Sequence, residues 1–192
     1  GLCRAGRGTG AGAAWVSHRV SALVNPIGPI TYQWLDATHV SFGLVTAGVN
    51  NQRWKVELSA FNGRAPDEGR VALDLGAFDS VAGRVSYLRG DRLALQLSAG
   101  RLREATTEFP FRSPDPVTRL TASALYHVPL GQRGIWATTL AYGANHARDI
   151  VSGAVLDTTT SAALLESSVT ISERHIVFGR GEVAAMPAHH LH

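Results

Sequence analysis

The sequence predicts an all-β chain, an antiparallel up-and-down meander of about eight strands. Three observations predict it. Apolar and polar residues alternate with a period of two in successive runs, which puts neighbouring side chains on opposite faces of a strand. The runs come in pairs joined by short turns built from Asn, Gly, Asp, Arg and Ser. Between the pairs lie longer connections that carry prolines and charges.

Residues 1–38 read as an irregular N-terminal segment. Gly1 to Ala14 is glycine-rich, and its Gly8-Thr9-Gly10-Ala11-Gly12-Ala13 run fits a relaxed dinucleotide fingerprint by spacing. No strand precedes it and no amphipathic helix follows, so composition accounts for the match. A short strand is expected within 15–24. Asn25-Pro26 and Gly28-Pro29 then punctuate a loop running to Asp36.

Residues 39–185 hold four hairpins. The first pairs the row Val40, Phe42, Leu44 with the row Trp54, Val56, Leu58, Ala60, across a turn at Asn50-Asn51. Asparagine tolerates the positive φ that tight hairpin turns require. The second has Val81, Gly83, Val85 and Tyr87 before Arg89-Gly90-Asp91, and Leu93, Leu95, Leu97 and Ala99 after it. The third sets Leu120, Ala122, Ala124, Tyr126 and Val128 against Trp136, Thr138, Leu140 and Tyr142, turning through 129–134. The fourth has the weakest apolar row, Ala163, Leu165, Ser167 and Val169, and turns at Ser172-Glu173-Arg174. Long connections are expected at 62–79, 104–117 and 146–159, all at the end opposite the short turns. Residues 186–192 read as a disordered histidine-containing tail.

The repeat is about 40 residues long, a propeller-like period, but a blade needs four strands per repeat and each unit here has two. Short turns at one end and long loops at the other fit an outer-membrane β-barrel. Composition agrees. Charged residues are 17%, low beside the roughly 25% of ordinary soluble domains. Lys55 is the only lysine, and arginine is scattered among acids, so the +3 net charge forms no basic stripe for nucleic acid. The lone Cys3 excludes an internal disulfide and a cysteine-built zinc site. No apolar run is long enough for a transmembrane helix, whereas a barrel strand needs only about 9–11 residues with every second one apolar.

In such a barrel the leucine rows face lipid. Val56, Leu58, Leu93, Leu95, Leu97, Leu120 and Leu140 are expected to share that face. Arg53, Lys55, Glu57, Arg84, Arg92, Gln96, Glu166, Arg180 and Glu182 are expected to face the lumen. Trp54, Tyr87, Tyr126 and Trp136 lie within a few residues of the short turns, where a barrel carries its interfacial aromatic girdle. The competing reading makes the polar row the solvated face of a soluble sandwich, which alternates in the same way.

Asn25-Pro26, Pro29-Ile30-Thr31, 34–40 and 42–48, together with 57–68, 79–87, Leu164-Leu165-Glu166-Ser167 and Val177-Phe178-Gly179-Arg180, carry a resemblance. From about 18 to 182 the chain resembles a family of uncharacterised Gram-negative outer-membrane β-barrels of the porin-like kind. Proteins of that family are longer on both sides. The resemblance therefore implies a partial barrel, or a divergent product cut short, and attaches no catalytic role. The N-terminus, with no apolar signal core and no initiating methionine, reads either as one whose leader has been removed or, the favoured reading, as that of an internal fragment. An open sheet is accordingly expected, with no ladder between 39–49 and 175–184.

Chemistry adds little. Asp36 and His39 stand three apart where a strand begins, but no G-x-S-x-G or other nucleophile motif accompanies them. His127, His146 and His175 are isolated. Asp67, Glu68 and Asp79 lack the dense carboxylate spacing of a calcium loop, and His189, His190 and His192 sit in the tail. No catalytic, metal or cofactor site is assigned, and no enzyme is expected. The reading is a passive porin-like channel or structural barrel in the cell outer membrane. Its partners are outer-membrane lipid and small solutes in the lumen, with no nucleic acid. The alternative is a soluble all-β binding module presenting long loops.

Overall fold

The computed structural model describes residues 19–23, 25, 27–35, 44–62, 78–103, 116–151, 154–172 and 175–187. Eight strands form one antiparallel sheet in chain order: β1 (Leu44–Asn50), β2 (Trp54–Phe61), β3 (Ser80–Arg89), β4 (Leu93–Leu102), β5 (Val117–Leu130), β6 (Gly134–Val151), β7 (Ala154–Ser172) and β8 (His175–Ala185). The fold is the expected meander. Among the described residues the order runs from β1 to β8 without a ladder joining the two, so the described sheet is open.

Register follows from keeping like rows together. Val56 faces Val85, Leu97 faces Ala122 and Leu140 faces Leu165. On the other face Glu57 meets Arg84, Ser98 meets Thr121 and Glu166 meets Arg180. A slip of one residue would mix the rows on every strand. The turns close as their residues allow. Gly90 and Gly131 take φ of 63° and 66°, a left-handed conformation open to glycine without a Cβ clash. In the first turn Asn51 acts through its side chain, its Oδ1 accepting the backbone N–H groups of Arg53 and Trp54 at 2.8 and 2.7 Å. This is the local bonding that lets asparagine fix a turn.

The structure corrects two expectations. The segment 146–159 is not a long loop: β6 and β7 pair down to Val151 opposite Ala154. Beyond the start of β5 these two strands continue as a hairpin paired only with each other. At its base, opposite Thr118 of β5, His146 Nδ1 meets Thr159 Oγ1 at 3.0 Å, and further out Arg148 and Asp157 face one another at 3.5 Å, both side chains exposed. Ala147 and Thr158 are still buried, Ala147 against Val117, and beyond them the described side chains are exposed, so that end needs no apolar row. Second, the described part of 15–24 is a 3-10 turn, Val20–Ala22, and not a strand. The first described strand starts at Leu44, and residues 39–43, where its beginning is expected, lie outside the described residues. The glycine run 8–13, Cys3, Asp36, His39, Asp67, Glu68, His189, His190 and His192 lie outside the described residues.

The two faces of the sheet differ in kind. Val56, Leu58, Leu95, Leu97, Leu120, Leu140, Leu165 and Val177 are exposed on the outer face, Leu58 and Leu97 by 66% and 53%; Leu93 shares their row at the rim. The inner face is buried and mostly polar or small: Ser59, Arg84, Ser86, Gln96, Ser98, Arg119, Thr121, Thr139, Asn145, Thr160 and Glu166. Apolar side chains enter it mainly at the long-connection end. Phe61, Ala82 and Leu102 pack there with Leu44 beside them, and Val117 packs on Ala147.

Candidate functional site

The inner face of β6, β7 and β8 carries a strap formed by the described residues of 19–35. Its sequence suits an irregular course. Pro29 and Gly28 break any regular element, and Asn25 Oδ1 accepts the Ile27 N–H at 3.1 Å in a local turn. The strap ends in a single helical turn, α1 (Tyr32–Leu35). Thr31 starts that turn, its carbonyl accepting the Trp34 and Leu35 N–H groups.

Four anchors hold the strap to the wall. Arg19 Nε and one terminal nitrogen donate to the two carboxylate oxygens of Glu166 at 2.8 and 2.9 Å. The geometry is the fork that makes arginine–carboxylate pairs strong and directional. Ser21 Oγ lies 2.8 Å from Thr139 Oγ1 and donates to Glu166 at 3.0 Å. The Thr31 N–H and hydroxyl both donate to Glu182 Oε2 at 2.9 Å. Trp34 Nε1 donates to Thr160 Oγ1 at 2.8 Å, and Leu35 packs on Ala141 and Leu164. In return, Arg180 donates to the strap carbonyls of Ile27 and Gly28 at 2.7 and 3.1 Å. Gly143 lets α1 lie this close, because a Cβ there would run into the backbone carbonyl of Trp34.

Arg180 also ties the wall together, 2.6 Å from Glu182 and 3.6 Å from Glu166. Glu166 is fully buried, and Arg180 and Glu182 nearly so. A charge buried this deeply survives only when paired and hydrogen-bonded, and every member of this group is. Across the sheet a second set lines the inner face. Lys55 meets Glu57 at 2.8 Å, Arg84 stands 3.7 Å from Glu57, and Arg119 Nε donates to Asn145 Oδ1 at 2.6 Å.

Of the residues expected in the lumen, Glu57, Arg84, Gln96, Glu166, Arg180 and Glu182 lie on the inner face, with Lys55 half exposed at its rim. Arg53 and Arg92 are exposed turn residues just before β2 and β4, and burial assigns them to neither face. Their backbone carbonyls accept the Leu88 and His127 N–H groups. Trp54, Tyr87, Tyr126 and Trp136 stand on the outer face at the short-turn end. Trp54 and Tyr87 sit with ring centroids 4.6 Å apart, and Tyr126 and Trp136 make an edge-to-face pair at 6.0 Å. Trp136 Nε1 donates to Ser167 Oγ at 2.9 Å, which satisfies its one polar atom.

Sequence reasoning missed Arg19, Ser21, Thr31 and Trp34, which lie in aperiodic sequence. It also missed Arg119, whose place in the row of Thr121 and Ser123 was a readable signal. Among the described residues no three His, Cys, Asp or Glu side chains converge as a metal-binding set. Comparison of the chain with protein-family models, with curated proteins and with solved structures finds no match in any of the three.

Proposed function

We propose that this chain forms an arc of an outer-membrane β-barrel wall, passive and porin-like or purely structural, with no catalytic site. One observation carries the reading: the exposed face is the aliphatic one and the buried face is the charged one. A soluble sandwich reverses that order, hiding its leucines between sheets. In a bilayer the outward leucines meet hydrocarbon, and the inward charges pair across strands around the lumen. The aromatic pairs at the short-turn end suit the membrane interface, where an amphipathic ring is stable.

The strap and the open edges bear on the size of that barrel. A closed barrel of about eight strands is filled by its own side chains. Here the inner face also holds a strap with a tryptophan and a leucine buried against the wall, and it needs a wider enclosure. Bare edges at β1 and β8 would cost several kcal/mol per unpaired backbone group in hydrocarbon. Further strands beside β1 and β8 would satisfy those edges and widen the barrel together.

Brominated detergent tests the outer face. Two proteins, each keeping a single tryptophan at Trp136 or at Trp34 with the others changed to Phe, are folded in brominated micelles. Trp136 is expected to be quenched and Trp34 to be protected. A protein that stays monodisperse without detergent and shows no quenching at Trp136 is the soluble binding module instead.

A further inference from the structure

The strap is fastened by polar groups and not by its aliphatic side chains. Val20, Leu23, Ile27 and Ile30 are all exposed, and Leu35 supplies its apolar anchor. Hydrogen bonds to the wall are exchanged for hydrogen bonds to water when such a segment lifts, so the neutral ones contribute little net and the bonds to Glu166 and Glu182 contribute most. Trp34 and Leu35, buried at one end, are the apolar surface that lifting uncovers, and along the rest of the strap it uncovers little. The attachment is of a kind that a competitor for its strongest polar contact can displace.

That contact is Arg19 on Glu166. The wall beneath it carries Glu166, Arg180 and Glu182, with side chains 0%, 11% and 9% exposed. One cation against two carboxylates leaves the wall a formal charge of −1, and Arg19 brings it to zero. Arg19 is the one cationic side chain among the described residues of the strap. Without it, Glu166 presents two oxygens in a plane already shaped to a guanidinium fork. Arg180 reaches it only at 3.6 Å. Thr139, paired with Glu166 across β6 and β7 and released from Ser21, would add a buried hydroxyl beside the vacated position.

We propose that Glu166, with Arg180 and Glu182, is a guanidinium-binding site in the wall that the strap's own Arg19 occupies, so that a guanidinium-bearing solute displaces the strap and takes its place. A guanidinium is favoured over an ammonium ion because both carboxylate oxygens are engaged in parallel, which a point charge does not reproduce. The site rests on strap and wall alone, and holds whether the outer face meets lipid or not.

The test uses the full chain folded in detergent micelles, with Cys3→Ser and Ala141→Cys placing one thiol beneath Leu35. Maleimide labelling of that thiol reports whether the strap is lifted, and circular dichroism reports the sheet. Ethylguanidinium is expected to speed labelling about tenfold and saturably, as competition for one site requires. Ethylammonium and sodium chloride at the same ionic strength leave the rate unchanged. In the Arg19→Ala background the sign reverses: labelling starts fast, and ethylguanidinium slows it by refilling the vacated fork and letting the strap settle. Glu166→Gln removes both responses. Arg19→Lys, which keeps the charge and loses the fork, serves as the second variant if alanine impairs folding. The proposal is overturned if ethylguanidinium and ethylammonium act alike in the wild-type and Arg19-substituted chains.

Discussion

Gly143→Ala separates the strap from the sheet energetically. In β6 alone the change should help, since glycine in a strand interior costs roughly 0.5–1 kcal/mol relative to alanine. Against the strap it should harm. The new methyl would overlap the Trp34 carbonyl oxygen, stand 2.9 Å from its carbonyl carbon and 3.2 Å from its Cβ. Overpacking of this degree costs about 1–3 kcal/mol. Detachment of α1 caps that cost, because the protein can relax by giving up the Trp34–Thr160 hydrogen bond, about 1 kcal/mol net, and the burial of Trp34 and Leu35, about 2–3 kcal/mol each. The net expectation is a loss of about 1–2 kcal/mol with the strap present. In a chain lacking residues 1–35 the expectation is a gain of about 0.5 kcal/mol. Urea unfolding in micelles, followed by circular dichroism, measures both. Equal shifts of the same sign in the two chains would refute the contact between α1 and β6.

Three further outcomes follow from the same geometry. Leu97→Arg puts a charge on the outer face between Val85 and Ala122; it should weaken folding into vesicles by about 2–4 kcal/mol if the site lies near the bilayer midplane, and a neutral effect would favour solvent on that face. Phe61→Ala opens a cavity against Ala82 and Leu102 and should cost about 3–5 kcal/mol in the same unfolding assay. Gly131→Ala, at a φ of 66°, should cost about 1–2 kcal/mol, and an unchanged midpoint would mean that the turn relaxes to another conformation.

The strands were legible because the two faces differ so much in chemistry. Along Arg84 to Tyr87, or Leu95 to Ser98, each residue announces its side, and the pairing of like rows then fixes register. Parity places Arg53 and Arg92 in the inner row, but outside β2 and β4 both are exposed and burial gives them no side. The stretch 146–159 departs from the expectation for another reason. Arg148, Asp157 and the Ser152-Gly153 pair look like a loop, and the alternation test has no power over a ribbon end exposed on both sides. Only the cross-strand pairing of Arg148 with Asp157 gives it away, and that is visible only once the register is known.

The strap was hidden for a different reason. Arg19 and Glu166 are 147 positions apart, and nothing in either neighbourhood points to the other. Glu166 was visible as one of the acids, with Glu182, in the polar row of the weakest hairpin. That inner row is small and polar because the strap, and not bulky side chains of the wall, fills the space above β6, β7 and β8. Small residues there, Ala141, Gly143 and Ala162, make room for α1, while Thr139, Thr160 and Glu166 supply its partners. A wall so shaped presupposes its filling. Removing the strap leaves Glu166 buried with Arg180 as its remaining close cation among the described residues, and a carboxylate in that position must gain water or another cation. The segment that looked least structured in the sequence is therefore the one that neutralises the most buried charge in the sheet.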